Sequence, residues 1–177
     1  MRGGWVIAGL LAASAWAADP AWESKLSERI PLYGHRNWIV IADSAYPAQA
    51  REGIETIVVN ADQLRVLKHV LAALDASKHV RPIVYVDKEL GFLNEESVPG
   101  IEPYKATLED LTHNREAHML PHEEIIHRLD EAGQTFRVLI IKTTMIMPYT
   151  SVFLQLDCAY WGPEEEKKLR AAMSGSK

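Results

Sequence analysis

The chain has 177 residues, enough for one domain with a sizeable core, and 47% of them are hydrophobic while 24% are charged. Its 19 basic and 24 acidic side chains give a formal net charge of −5. Because nucleic-acid binding needs a concentrated basic surface, this balance argues against a nucleic-acid partner. Cys158 is the single cysteine, so no disulfide can form within the chain. Stability must therefore come from the core or from assembly.

Residues 1–17 have the pattern of a secretory signal peptide. Arg2 gives a positive start, residues 5–13 are apolar, and residues 15–17 (Ala-Trp-Ala) have the small-residue spacing of a cleavage site. The apolar run is too short for a permanent transmembrane helix. The sequence therefore predicts a single mature domain over residues 18–177 that is periplasmic or secreted and has no membrane partner after cleavage. An uncleaved anchor is the alternative.

Apolar periodicity predicts helices and strands in alternation along the rest of the chain. Residues 21–30 have an apolar side chain at every fourth position, as in a short amphipathic helix. Residues 38–42 are uniformly apolar, which is typical of a strand covered on both faces. The other predicted strands are residues 54–59, 81–87, 137–142 and 152–156, and the other predicted helices are residues 63–74, 104–117, 121–132 (capped by Gly133) and a C-terminal helix from residue 162. Turn-rich residues 88–103 are predicted to be a loop that serves as a lid or an interface.

This order of elements predicts a single α/β domain with a largely parallel sheet covered by helices. The sequence contains no Gly-rich nucleotide-binding motif, so we expect no nucleotide cofactor.

Histidines are concentrated between residues 113 and 127. His118 and His122 are four residues apart, a spacing that can place two metal ligands on one helix face. Pro121 lies between them and interrupts the helix, and the pattern is not the H-E-x-x-H of metal-dependent hydrolases. A metal-dependent hydrolase that uses His113, His118, His122 and His127 is therefore one alternative, and solvated helix positions are the simpler interpretation.

Two segments carry a family resemblance. Residues 34–47 join a Gly-His turn to the buried strand and end on Asp43, two small residues, an aromatic residue and a proline. A second segment runs from the basic residue Lys142 to a Pro-Tyr pair at Tyr149 and on into an apolar strand. In this order, the two segments resemble the RbsD/FucU family of ribose pyranases and fucose mutarotases. The resemblance covers residues 28–160 and implies the three-layer domain of that family.

The resemblance also implies the residues of a sugar site. It implies His35 as the proton donor, and it implies that the sugar is bound by Asp43, His122, Tyr149, Thr150 and Ser151. His127 is the second choice for the histidine that binds the sugar. Ser151 stands where the family has asparagine and Met145 where it has glutamate, which leaves the sugar and the activity open. Without the resemblance, the simpler interpretation is that His35 is a surface turn residue and that Asp43 caps the loop after its strand.

The chemistry that the resemblance implies is modest. Interconverting the ring or anomeric forms of a ribose- or fucose-like monosaccharide needs one proton delivered to the ring oxygen and one removed from the anomeric hydroxyl. An imidazole that titrates near neutrality suits both transfers. The expectation is a pyranase- or mutarotase-like isomerase without metal or cofactor, and the alternative is a non-catalytic carbohydrate-binding protein on the same fold. The resemblance further implies a homo-oligomer, a pentamer or decamer ring, in which neighbouring subunits complete each site.

Overall fold

One mixed sheet forms the centre of the computed structural model, which describes residues 20–175, so the predicted signal peptide lies outside the described residues. The strands are β1 (Trp38–Ala42), β2 (Ile54–Val58), β3 (Val80–Asp87), β4 (Ala117–Leu120), β5 (Val138–Lys142) and β6 (Val152–Cys158). Their order across the 6-stranded sheet is β2-β5-β1-β6-β3-β4. β6 is antiparallel to both of its neighbours, and the other pairings are parallel. The predicted α/β fold with a largely parallel sheet is confirmed.

Helices cover both faces of this sheet. They are α1 (Pro20–Arg29), α2 (Gln63–Asp75), α3 (Ile101–Thr112) and α4 (His122–Thr135). A further helix, α5 (Pro163–Ser174), has no buried residue and belongs to neither core cluster. Side chains of α1, α2 and α3 belong to one core cluster, and side chains of α4 belong to a second. In β1, Ile39 and Ile41 face the first cluster, while Trp38, Val40 and Ala42 face the second. The strand is uniformly apolar because successive side chains enter opposite cores, and the domain has three layers.

Three details of the predicted elements are wrong. The predicted helix over residues 104–117 ends at Thr112, and β4 follows at the edge of the sheet. β4 has only 4 residues, Ala-His-Met-Leu, which form neither a continuous apolar run nor a strict alternation of apolar and polar side chains, so no strand pattern reveals it. Residues 88–103 are not one loop, because they contain a 3₁₀ helix (Lys88–Phe92) and the start of α3. Gly133 does not cap α4 but lies inside it, where a Cβ atom would come within 2.9 Å of Ile54.

Several segments meet at the end of the sheet where the parallel strands finish. This end is termed here the carboxyl edge. All the parallel strands end at this edge, and β6, which runs the other way, begins there. Asp43 follows β1, Asp87 ends β3, His122 begins α4 just after β4, and Ser151 precedes β6. Open α/β sheets bind their ligands at this edge. Within residues 20–175, no helix has both the length and the apolarity needed to cross a membrane.

Candidate functional site

Asp43 and Ser151 hold each other at the carboxyl edge. The Ser151 hydroxyl donates to Oδ2 of Asp43 at 2.8 Å, and the backbone N–H of Asp43 donates to Oγ of Ser151 at 3.1 Å. Oδ1 of Asp43 accepts from the backbone N–H of Ala45 at 2.8 Å. These bonds fix the carboxylate and leave lone pairs on both of its oxygens for ligand hydroxyls. Ser151 is only 2% exposed, so its hydroxyl is placed to orient Asp43.

The imidazole of His122 is held from several sides. Its Nδ1 lies 3.1 Å from Oδ2 of Asp87, and the backbone N–H of His122 donates to both carboxylate oxygens of Glu89, at 3.2 and 3.1 Å. The ring of Tyr149 meets the imidazole at 81°, with the two centroids 5.7 Å apart. The His122 side chain is 33% exposed and that of Asp87 only 1%. The imidazole is therefore fixed in orientation while part of it still faces solvent.

Asp87 is an unusual carboxylate for the interior of a sheet. Burial raises its pKa to about 6, although His122 acts to lower it, and the nearby charges of Glu89 and Asp43 raise it further. Among the described residues, Oδ1 of Asp87 has no hydrogen-bond partner. A buried carboxylate with an unpaired oxygen is costly, and such groups are concentrated at functional sites.

The loop before β6 presents Tyr149. Tyr149 has a φ of 57°, in the left-handed region that residues other than glycine rarely occupy, and it is 40% exposed. Thr150 is completely buried, and its hydroxyl donates to the backbone oxygen of Met147 at 2.7 Å. Thr150 therefore shapes the loop that carries Tyr149, and its contact with a sugar stays a prediction.

His35 lies at the opposite edge of the sheet, in an exposed turn before β1. Gly34 donates its backbone N–H to Oδ1 of Asn37 at 2.8 Å, and Arg36 has a φ of 73°, so the turn has a defined shape. The 5 residues of β1 alone separate this turn from Asp43 by roughly 16 Å. Within one chain, the structure brings together Asp43, His122, Tyr149 and Ser151, but not His35.

Comparisons with known proteins give the family and the fold of the chain. A model described as the RbsD / FucU transport protein family matches residues 18–158. The chain belongs to the RbsD/FucU family. It is similar to Bacillus subtilis RbsD complexed with D-ribose, at 26% identity over 76% of this chain and 92% of that chain, with a TM-score of 0.53. Its fold is also similar to that of the fucose mutarotase in complex with L-fucose from Streptococcus pneumoniae, at 16% identity over 79% and 93% of the two chains, with a TM-score of 0.50. No curated protein sequence matches the chain.

In this RbsD/FucU family member, a buried polar pair supports the carboxyl edge from below. Nε2 of Gln63 donates to the backbone oxygens of Ile41, at 3.1 Å, and Thr150, at 3.0 Å. The Tyr104 hydroxyl lies 2.7 Å from the same Thr150 oxygen and 3.0 Å from Oε1 of Gln63. The pair ties the end of β1, and with it Asp43, to the loop that carries Tyr149.

We expect Gln63→Leu to lower the free energy of unfolding by about 2 kcal/mol, because a buried donor to two carbonyl groups is lost while the volume is kept. Urea denaturation measures this change. Gln134→Leu is the control: Gln134 is exposed on α4, so its replacement should change stability by less than about 0.5 kcal/mol. Equal effects of the two substitutions would show that Gln63 does not support the site.

Three residues of this region, Asp87, Glu89 and Gln63, are not predicted as site residues from the sequence. By its pattern, Asp87 is the last residue of a strand and Gln63 the first residue of a helix, without a site role for either. A signal for Asp87 exists, since Asp43 and Asp87 both stand at the ends of apolar strands, where ligand sites form. Nothing in the sequence marks Gln63 as buried, because a polar residue at a helix start is usually exposed.

The histidines between residues 113 and 127 do not converge. His113 bonds the backbone of its own helix, His118 pairs with Glu116, His122 pairs with Asp87, and His127 faces Glu131. Within the described part of the chain, no group of three His, Cys, Asp or Glu side chains is arranged to hold a metal ion.

Proposed function

We propose that the protein is a pyranase- or mutarotase-like isomerase that interconverts ring or anomeric forms of a monosaccharide. The observation that carries the proposal is the convergence of Asp43, His122 and Tyr149 at the carboxyl edge of a chain that belongs to the RbsD/FucU family. The similar Bacillus subtilis protein was solved with D-ribose, which supports a monosaccharide as the ligand.

Each of these side chains has a physical role in the proposal. The fixed carboxylate of Asp43 accepts hydrogen bonds from sugar hydroxyls, and the exposed ring of Tyr149 offers an apolar face with a hydroxyl at its tip. His122 contacts the anomeric end of the sugar. His35 delivers the proton to the ring oxygen, and general acid–base help of this kind accelerates a reaction by roughly 10²–10⁴.

His35 takes this role from a second copy of the chain. We propose a homo-oligomeric ring, a pentamer or a decamer, in which the His35 turn of one subunit lies against the carboxyl edge of its neighbour. The exposure of His35 and its position at the far edge of the sheet support this arrangement. Light scattering at micromolar concentration should give a mass larger than a dimer, and a monomer would contradict the shared site.

Saturation-transfer NMR tests the proposed function directly. With D-ribose and L-fucose as probes, we expect the protein to accelerate exchange between the ring or anomeric forms of one of them, relative to buffer and to heat-denatured protein. The alternative function, a carbohydrate-binding protein, is favoured by Ser151 and Met145, which differ from the family pattern. Line broadening of a sugar that is bound but not exchanged faster would support the binding protein and contradict the isomerase.

Export is the remaining proposal. The signal-peptide pattern of residues 1–17 supports a periplasmic or secreted location. N-terminal sequencing of the protein from its native host should start at or near Ala18, and a cytoplasmic protein with Met1 intact would contradict this location.

A further inference from the structure

Asp87 and His122 form a buried carboxylate–imidazole contact beside Asp43 that the proposed sugar contacts do not explain. We propose that Asp87 is a positioning residue that holds the proton on Nδ1 of His122, so that Nε2 of His122 accepts the proton of the anomeric hydroxyl. The proposal rests on the isomerase function proposed above and supplies the proton acceptor that the reaction requires besides His35.

The geometry fixes which ring nitrogen is free. Burial raises the pKa of Asp87 only to about 6, so the carboxyl group is ionised at pH 8 and acts only as an acceptor. Oδ2 of Asp87 lies 3.1 Å from Nδ1 of His122, so Nδ1 must carry the hydrogen of the neutral imidazole. Nε2 is then left with its lone pair. Within residues 20–175, no hydrogen bond occupies Nε2.

The surroundings hold this arrangement in place. The Asp87 side chain is 1% exposed, so solvent water has little access to compete for its contact with His122. Glu89 holds the backbone at His122, and Tyr149 limits rotation of the imidazole. The His122 side chain is 33% exposed, which leaves a path for a sugar hydroxyl to reach Nε2.

The proton transfers balance within one reaction cycle. On ring opening, the anomeric O–H proton moves to Nε2 of His122, and the electron pair of the broken O–H bond forms the carbonyl double bond. The bond between the anomeric carbon and the ring oxygen breaks, and that oxygen takes a proton from His35 of the neighbouring subunit. Asp87 stabilises the imidazolium, which now carries hydrogen on both nitrogens. Ring closure reverses both transfers, so no oxidant, reductant or net proton is needed.

The test compares wild type with Asp87→Asn, which keeps the size of the side chain and removes its charge. Two-bond ¹⁵N–¹H correlation spectra at pH 8 report the His122 tautomer without any sugar. We expect Nδ1–H in the wild type and a shift toward Nε2–H in the variant, because an amide can donate to Nδ1; the same substitution in a Ser-His-Asp triad leaves the wrong tautomer. For whichever of D-ribose and L-fucose the wild type exchanges, exchange at saturation should fall by about 10²-fold, with affinity changed by less than about threefold.

Glu116→Gln is the matched control, since Glu116 lies 3.0 Å from Nε2 of the exposed His118. It should leave the His122 tautomer and sugar exchange unchanged. An Nε2–H tautomer in wild type would overturn the proposal, and this spectrum decides even if Asp87→Asn does not fold. Wild-type exchange in Asp87→Asn would overturn the positioning role alone. If the wild type exchanges neither D-ribose nor L-fucose, the isomerase function is overturned, and this proposal with it.

Discussion

His35→Ala should lower the rate of sugar exchange by about 10²-fold or more while changing sugar affinity little. The substitution removes the proposed proton donor but leaves intact the carboxyl edge, where we propose that the sugar binds. His35 is exposed in a turn, so the free energy of unfolding should change by less than about 0.5 kcal/mol. Saturation-transfer NMR at saturating sugar measures the rate, and urea denaturation measures the stability.

Two further variants separate catalysis from binding. His113→Ala is the control for His35, because His113 is also exposed and contacts only the backbone of its own helix, so exchange should stay at the wild-type rate. Asp43→Asn should instead weaken sugar binding, since it removes the charge of the carboxylate that Ser151 and Ala45 orient. If His35→Ala exchanges sugar as fast as the wild type, His35 is not the acid.

Asp87→Asn should raise the free energy of unfolding at pH 8 by about 1–2 kcal/mol, although it slows exchange. Burial raises the pKa of Asp87 from an ordinary 3.8 to about 6, so ionised Asp87 destabilises the folded state. A shift of about two pKa units corresponds to roughly 3 kcal/mol. The new amide hydrogens are buried without full partners, which offsets part of this gain.

The sign of the pH dependence follows from the raised pKa. The contribution of Asp87 to the free energy of unfolding is fully present below the pKa of this group in the unfolded chain, near 3.8. This contribution is lost as the pH rises through about 6. The stability difference between Asp87→Asn and wild type should therefore grow from pH 4 to pH 8 in urea denaturation. A variant that is less stable than wild type by the same amount at every pH would show that the buried charge of Asp87 does not destabilise the folded protein.

The sequence predicts the centre of the fold well and its edges less well. The bounds of β1 are as predicted because a strand covered on both faces is apolar at every position. β4 was missed because an exposed edge strand carries no such pattern. The family and the three-layer fold are confirmed. Both could be predicted because the short segments around Asp43 and Tyr149, and their order along the chain, resemble the family.

Most of the site residues that could be predicted belong to those segments, and His122, which the resemblance implies from outside them, is the exception. Asp87 stands on a different strand from Asp43, and only the placement of β6 between β1 and β3 brings the two carboxylates to one edge. Gln63 acts through backbone oxygens that are distant in sequence, which no local pattern records. The separation of His35 from Asp43 follows from the length of the strand between them, since the 5 residues of β1 span roughly 16 Å.

Subunit mixing tests most directly whether one site joins His35 of one subunit to Asp43 of another. At a sugar concentration well below saturation, His35→Ala and Asp43→Asn should each exchange sugar poorly alone. In an oligomer reassembled from equal amounts of both, random association gives about a quarter of the sites an intact His35 and an intact Asp43. We predict that sugar exchange recovers to about that fraction of the wild-type rate. A mixed oligomer of normal mass that exchanges sugar no faster than the separate variants would contradict the shared site.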